Sequence, residues 1–551
     1  MKVAARALSA FCLLASLWLT LACSPANHTN PTGQVNYNTP LRHVIVVVQE
    51  NRTPDNLFGS DLFNPNGRRL PNAHLARQGS CHGMPITLAP WRLDACFDPD
   101  HAHMRPYPSW VNMYDGGKMD GACNVYVHTN GCQTIPPGVV PPNPQYTFVD
   151  NAPDIKTGFG VLEPYFQIAE QYGYANYMFQ TNQGPSFPAH QFLFTGTSAP
   201  VSFNDPGDTQ KFWEWFAAEN LIVKTPKPNG CLALAGAYIL EVAPDGTESD
   251  GYAPPGENPG YPCYDHPTLT DLLEQNQPQP ISWRYYAQSY AGDLWNAPNA
   301  ISHICVPSGE ACTGPDWTTN GDVALTPGQV LTDISNCQLR QVNWVIPDGN
   351  WSDHSGAVGA LGGPSWVAAI VNAIGNSWNA SNHQCDYWGN NSNDPTAILI
   401  TWDDWGGWYD DVSPATAIGI GYKNGNGSGQ QYVYGFRVPL LVVSAYAKPT
   451  YTSNLNHDFG SILNFIEYVF GQNGKPLGEI NPAYHYADFF VQDTAAPPNN
   501  YSLYDFFDFS QPRTFTSITG WKYPPSCFIN PTSCFQSYPM DPDNDASEGD
   551  D

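Results

Sequence analysis

The run His43-Val44-Ile45-Val46-Val47-Val48-Gln49 holds β-branched residues without polar alternation. A strand exposed on one face would alternate, so this run predicts a strand buried on both faces, as in a parallel sheet. Similar runs recur at Ile281 to Tyr286, Val342 to Ile346, Ala397 to Trp402 and Val438 to Ala445. Between them the apolar spacing changes to that of helices, at Leu162 to Tyr172, Leu269 to Gln275, Trp366 to Ile374 and Ile462 to Phe470. Strands alternating with helices predict an α/β fold layered on a mostly parallel central sheet. Loops rich in Pro, Gly and Cys interrupt the pattern near 60–155, 198–265 and 304–336, and no internal repeat is present.

In open parallel sheets, functional residues collect at the carboxyl ends of the strands. One predicted strand runs into Glu50-Asn51, another into Asp403-Asp404, and a third leads to Asp348 through His354. Glu50, Asn51, Asp403 and Asp404 together supply three carboxylates and an amide, hard donors suited to a divalent cation. Taken by spacing alone, the same residues also suit a turn and a loop cap. Ser186, in Gly184-Pro185-Ser186-Phe187-Pro188, stands where a loop enters a helix. A serine there is either a plain N-cap or a nucleophile facing the positive helix end. His101, His103, His303, His354 and His457 fall in loops or at element ends. Each reads as a surface or structural residue, or as a donor to an oxyanion near neutral pH.

Composition narrows these readings. The chain has 551 residues, 42% hydrophobic and only 13% charged, with 52 prolines and 48 glycines, as expected of a globular core carrying many ordered loops. A formal net charge of −28 argues against nucleic acid as a partner and against an anionic membrane surface. Lys2 and Arg6 followed by the apolar run Ala7 to Ala22 form an export signal too short to span a bilayer comfortably. The leader, residues 1–23, ends either by cleavage near Ala22 or at a lipid-bearing Cys23, the one membrane contact foreseen. The expected location is periplasmic, on the outer membrane as a lipoprotein, or secreted. Residues 24–40 read as a tether, 41–540 as a single catalytic domain with the three loop insertions, and 541–551 as an acidic disordered tail.

Twelve cysteines beyond the leader favour disulfides in an exported chain. Pairing of sequence neighbours gives 81 with 96, 123 with 132, 231 with 263, 305 with 312, 337 with 385, and 527 with 534.

Glu50-Asn51-Arg52-Thr53-Pro54-Asp55-Asn56-Leu57-Phe58-Gly59 resembles the "ENRSFDHYFG" opening of the bacterial phosphoesterase family that unites phospholipases C and acid phosphatases. Gly116 to Gly121 resembles its "GGKMDG" element, Gly184-Pro185-Ser186 its nucleophile segment, and Trp402 to Asp410 its "YDEHGGFYD" stretch. His457 to Glu467 is similar to its "HTSVLRFIE" helix. The resemblance implies an alkaline-phosphatase-like three-layer α/β/α sandwich with disulfide-stapled insertions. It also implies one divalent metal ion (calcium, magnesium, manganese, iron or zinc) held by Glu50, Asn51, Ser186, Asp403 and Asp404. Ser186 is then the nucleophile of a phosphoserine mechanism, and His354, His303, His101 and His103 match phosphate-contacting or proton-donating positions. The implied substrate is a small phosphoester or a phospholipid head group.

Asn56, Trp405 and Asp411 stand where the family often has histidine, and Asp404 where it often has glutamate. These departures bear on substrate choice and on the leaving-group acid. Ser186 and the short region after residue 470 lean towards an acid-phosphatase-like monoesterase, with a phospholipase C-type diesterase as the alternative. From another class, the 17 Trp and 30 Tyr residues also suit an exported glycan-binding or adhesion protein.

Overall fold

The five apolar runs all become strands of one sheet in the computed structural model. The structure describes residues 35–531 except 64–69, 71, 104–106, 135, 137, 155–157, 201–214, 221–227, 243–247, 250–259, 277–278, 357–361, 379–384, 391–393 and 415–433. The sheet strands are β1 (His43–Gln49), β2 (Gly173–Ala175), β3 (Trp283–Tyr286), β4 (Val323–Ala324), β5 (Val342–Val345), β6 (Thr396–Trp402), β7 (Leu440–Ser444) and β8 (Tyr451–Ser453). Their spatial order is β4-β3-β5-β1-β6-β7-β2-β8. Every strand of this sheet runs in one direction except β7, which pairs antiparallel with both β6 and β2. The run at Val438 to Ala445 read as a parallel strand. All five residues of β7 are buried, so its unbroken apolar pattern reports cover on both faces and not strand direction. The short strands β2, β4 and β8 carry too few residues for any period to show.

Helices pack on both faces. The main ones are α1 (Glu163–Gln171), α2 (Ser186–Thr195), α3 (Leu269–Gln275), α4 (Gly363–Gly375) and α5 (Phe459–Phe470). Trp344 lies beside Val46 and Val46 beside Leu399, so these three side chains share one face. The Trp344 indole donates to the Leu193 carbonyl at 2.9 Å, which fixes α2 on that face. Trp402, three residues from Leu399, points to the other face and meets Tyr165 of α1 edge-on at 5.2 Å. Two helices start with reciprocal caps, Thr268 with Asp271 and Asp458 with Ser461.

The register that matters pairs His43 through Gln49 with Thr396 through Trp402. Strands β1 and β6 therefore end side by side, and the residues after each strand emerge at one edge.

Three disulfides join the expected neighbours: Cys231–Cys263, Cys305–Cys312 and Cys337–Cys385. Two do not. The bonds are Cys81–Cys123 and Cys96–Cys132. Pairing by shortest loop fails there because the turn Ala122–Asn124 returns to lie against the strand Gly79–Cys81. Cys534, the leader with Cys23, and the tail 541–551 lie outside the described residues, as do parts of the 198–265 insertion. The end of the expected tether is packed: Tyr37 bridges Gln472, and the Asn38 amide donates to the carbonyls of Tyr468 and Lys475. Among the described residues no helix is long and apolar enough to cross a membrane.

Candidate active site

Because β1 and β6 end together, Glu50-Asn51 and Asp403-Asp404 meet. The Asp403 N–H donates to the Gln49 carbonyl at 2.9 Å, and the Arg52 N–H donates to the Asp404 carbonyl at 3.0 Å. The Asn51 N–H donates to Asp403 Oδ1 at 2.9 Å, and the Gly406 N–H to Asp404 Oδ1. Asn51 adopts a left-handed backbone with φ of 60°. Such a conformation in a non-glycine residue persists only where its surroundings over-determine it.

Ser186 completes the group. It is the first residue of α2, and Pro185 holds the flanking cap position. The plain N-cap reading therefore fails. The Ser186 hydroxyl lies 3.3 Å from Glu50 Oε2 and 3.3 Å from Asp404 Oδ2. Pro185 has no N–H, and the Phe187 N–H donates to the Asn220 side chain, so the first turn is occupied locally. Glu50, Asn51, Ser186, Asp403 and Asp404 are all 0% exposed.

The histidines divide. His101 Nε2 lies 3.1 Å from Asn51 Nδ2 and 3.9 Å from Asp404 Oδ2, while its Nδ1 is 3.3 Å from the Pro99 carbonyl. The consistent tautomer has Nδ1–H donating to Pro99 and Nε2 accepting from the Asn51 amide. The His354 ring centre is 6.1 Å from that of His101, and its Nδ1 donates to the Ser355 carbonyl at 2.6 Å. His103 sits under the nucleophile loop, with its Nδ1 3.2 Å from the Gln183 carbonyl and its ring stacked on Trp110. Burial pushes its pKa down to about 4, so it is neutral above mildly acidic pH.

His303 is not brought into the group. Its Nε2 pairs with Asp271 Oδ2 at 3.3 Å, and its side chain is 38% exposed. Order along the chain matched it to the site; the turn after Ile301 carries it to the N-terminal turn of α3 instead. His457 belongs to a different buried network, bonded to Asp493 and Ser453.

Sequence reading missed His190. It stands one helical turn after Ser186, and its Nε2 is 3.1 Å from Glu50 Oε1 and 3.8 Å from Asp403 Oδ2. The signal was available: residues four apart share a helix face, so a nucleophile at 186 puts 190 beside it.

A divalent cation fits this arrangement. Three buried carboxylates in contact repel one another unless a cation or protons offset them. The Arg52 guanidinium turns away: it donates to the Asp353 and Leu93 carbonyls and to the Asn56 side chain. With the Asn51 amide nitrogen engaged by His101, Asn51 Oδ1 is a buried acceptor without a donor among the described residues, and so is Asp403 Oδ2. Glu50, His190 and Asp403 each bring a donor atom within 4.8 Å of the others.

The profile of the Phosphoesterase family matches residues 41–473. Phospholipase C A of Mycobacterium tuberculosis is 23% identical over 460 residues, covering 79% of this chain and 73% of that protein. The non-hemolytic phospholipase C of Pseudomonas aeruginosa is 24% identical over 275 residues, covering 44% of this chain and 36% of its own. That of Burkholderia pseudomallei is 29% identical over 153 residues, or 25% and 20% of the two chains. The solved structure of Ps i-CgsB in complex with k-i-k-neocarrahexaose covers 78% of this chain and 72% of its own at 8% identity and a TM-score of 0.29, too distant to carry an argument. With the family match running from the strand that delivers Glu50 through the helix after His457, the chain belongs to the Phosphoesterase family and is a phosphoric ester hydrolase.

Proposed function

We propose that the protein is an exported, metal-dependent hydrolase of phosphoric esters that works through a phosphoserine at Ser186, with diesters of the phospholipase C type as its substrates. The observation that carries this reading is the Ser186 hydroxyl lying 3.3 Å from both Glu50 and Asp404 at the shared end of β1 and β6. The relatives named phospholipase C favour diesters.

A divalent cation held by Glu50, Asn51, Ser186, Asp403 and Asp404 would stabilise the serine alkoxide and offset charge on the phosphoryl oxygens. The chain supplies the remainder. Ser186 Oγ, its proton released to solvent, forms a bond to phosphorus as the bond to the leaving oxygen breaks in line with it. A histidine protonates that leaving oxygen. His354 is the candidate: its Nδ1–H is committed to the Ser355 carbonyl, so the proton it gives would be the one that Nε2 carries in the imidazolium form. His101 holds the Asn51 amide through Nε2 and the Pro99 carbonyl through Nδ1, so its part is to orient Asn51. Water then attacks the phosphoserine and releases phosphate or phosphomonoester. His303 has no part in this scheme, and His103 supports the loop before Ser186.

Monoester hydrolysis stands as a second reading, favoured by a serine and not a threonine at position 186. The fold supports an alkaline-phosphatase-like sandwich through its two-faced sheet, with residues 41–540 as one catalytic domain. The buried acid–serine cluster gives an adhesion role no support.

Hydrolysis of p-nitrophenyl phosphate, bis-p-nitrophenyl phosphate and phosphatidylcholine, each before and after chelation, tests the proposal. Chelator-sensitive release of diacylglycerol from phosphatidylcholine is the expected result. Turnover of the monoester alone moves the assignment to a phosphatase, and activity indifferent to chelation removes the metal.

A further inference from the structure

We propose that His190 is a nitrogen ligand of the active-site cation, which makes the site a mixed nitrogen–oxygen centre for a transition ion and not an all-oxygen site for calcium or magnesium. This rests on the metal-dependent reading above. Ser186 and His190 occupy one face of α2 at successive turns, and the Glu50 carboxylate spans them. Its Oε2 lies 3.3 Å from Ser186 Oγ, and its Oε1 lies 3.1 Å from His190 Nε2. On its other side His190 Nε2 faces Asp403 Oδ2 at 3.8 Å, beyond hydrogen-bond length. Among the described residues that oxygen has no hydrogen-bond partner.

The spacing is that of neighbouring ligands. Donors about 2.0–2.2 Å from a common ion, in a tetrahedral to octahedral shell, lie roughly 2.9–3.5 Å apart. The Glu50–His190, Glu50–Ser186 and Asp404–Ser186 separations fall in this interval, and His190–Asp403 needs only a small closure. The imidazole is fully buried and lies nearly parallel to the Trp295 ring, 22° between planes at 6.4 Å. Neutral imidazole suits zinc, iron and related transition ions, whereas calcium and magnesium take oxygen shells.

The test loads the full chain, stripped of metal, with Mn²⁺ and records pulsed electron paramagnetic resonance. A directly coupled ¹⁴N signal is expected in the wild type, replaced by a ¹⁵N signal when the histidines are ¹⁵N-labelled. His190→Gln should lose the coupling and weaken Mn²⁺ binding by about tenfold or more, and His101→Gln should keep the coupling. Bound Mn²⁺ without nitrogen coupling in the wild type overturns the inference, as does coupling that survives His190→Gln. Loss of coupling in His101→Gln also overturns it, and that arm holds even where His190→Gln does not fold. Binding of Ca²⁺ or Mg²⁺ but of none of Mn²⁺, Zn²⁺ and Fe²⁺ also overturns the inference and leaves the cation reading standing, whereas failure to bind any of the five overturns the cation reading itself.

Discussion

Gly406 packs against Asn51 with no room for a side chain: a Cβ there would lie 2.4 Å from the Asn51 carbonyl oxygen and 2.7 Å from Asn51 Cβ. Both residues hold left-handed backbones, with φ of 61° at Gly406 and 60° at Asn51. The two chain ends that bear the acidic residues are thus locked together backbone to backbone. Gly406→Ala adds a steric clash to an unfavourable φ and should cost about 2 kcal/mol or more of stability. The displaced Asn51 should lower kcat/KM as well. Denaturant unfolding and steady-state kinetics on the same preparation check both, and a variant with unchanged kinetics would mean that the Asn51 position is not critical.

Ser186→Ala removes the hydroxyl and leaves α2 with its Pro185 and Pro188 start intact. Turnover should fall by about 10³-fold or more, with an unchanged far-ultraviolet circular dichroism spectrum. In the wild type, acid quenching during turnover should trap the phosphoryl group, with the ester it retains from a diester, on the tryptic peptide containing Ser186. Trapped phosphate at any other residue would refute the nucleophile.

The pH dependence of stability should carry the mark of the His457–Asp493 pair, which is fully buried and joined at 2.6 Å. Burial alone would lower the His457 pKa, but the hydrogen bond to Asp493 and the charges of Asp493, Asp505 and Asp458 outweigh it and raise the pKa. Burial would raise Asp493; the hydrogen bond and charge of His457 outweigh that and lower it. A raised histidine stabilises below its unfolded pKa of about 6.5 and loses the contribution as pH rises through the folded value. A lowered aspartate stabilises above about 3.9 and loses the contribution as pH falls through its folded value. The pair should therefore stabilise most between those limits. The Tm gap between the wild type and His457→Gln should narrow as pH climbs from 6 towards 9, and a gap that widens would contradict the pairing.

Non-reducing peptide mapping should recover Cys81 linked to Cys123 and Cys96 linked to Cys132. Peptides linking Cys81 to Cys96 would disprove the fold of that loop. Cys96→Ser should cost about 2–4 kcal/mol, the usual range for a native disulfide.

The strands were legible because a sheet covered on both faces demands unbroken apolar runs, and β1, β3, β5, β6 and β7 satisfy that demand locally. The helices were legible for a similar reason, through the recurrence of apolar positions on one face, while the caps at Thr268 and Asp458 came from the structure. Most of the acidic site could be named from sequence, since Glu50-Asn51 and Asp403-Asp404 directly succeed two such runs. His190 was visible only through helix periodicity counted from Ser186.

Three things required the fold. The direction of β7 depends on its neighbours, and an apolar run carries no sign of direction. The pairing of Cys81 and Cys96 depends on which distant turn returns to each. The separation of His303 from His101 and His354 depends on where loops of similar composition lead. Local patterning determined which segments form elements and which residues come after them, because burial acts residue by residue along the chain. Only tertiary structure decided which of those ends meet, because contacts hundreds of residues apart are set by packing of the whole sheet and leave no periodic trace in the sequence.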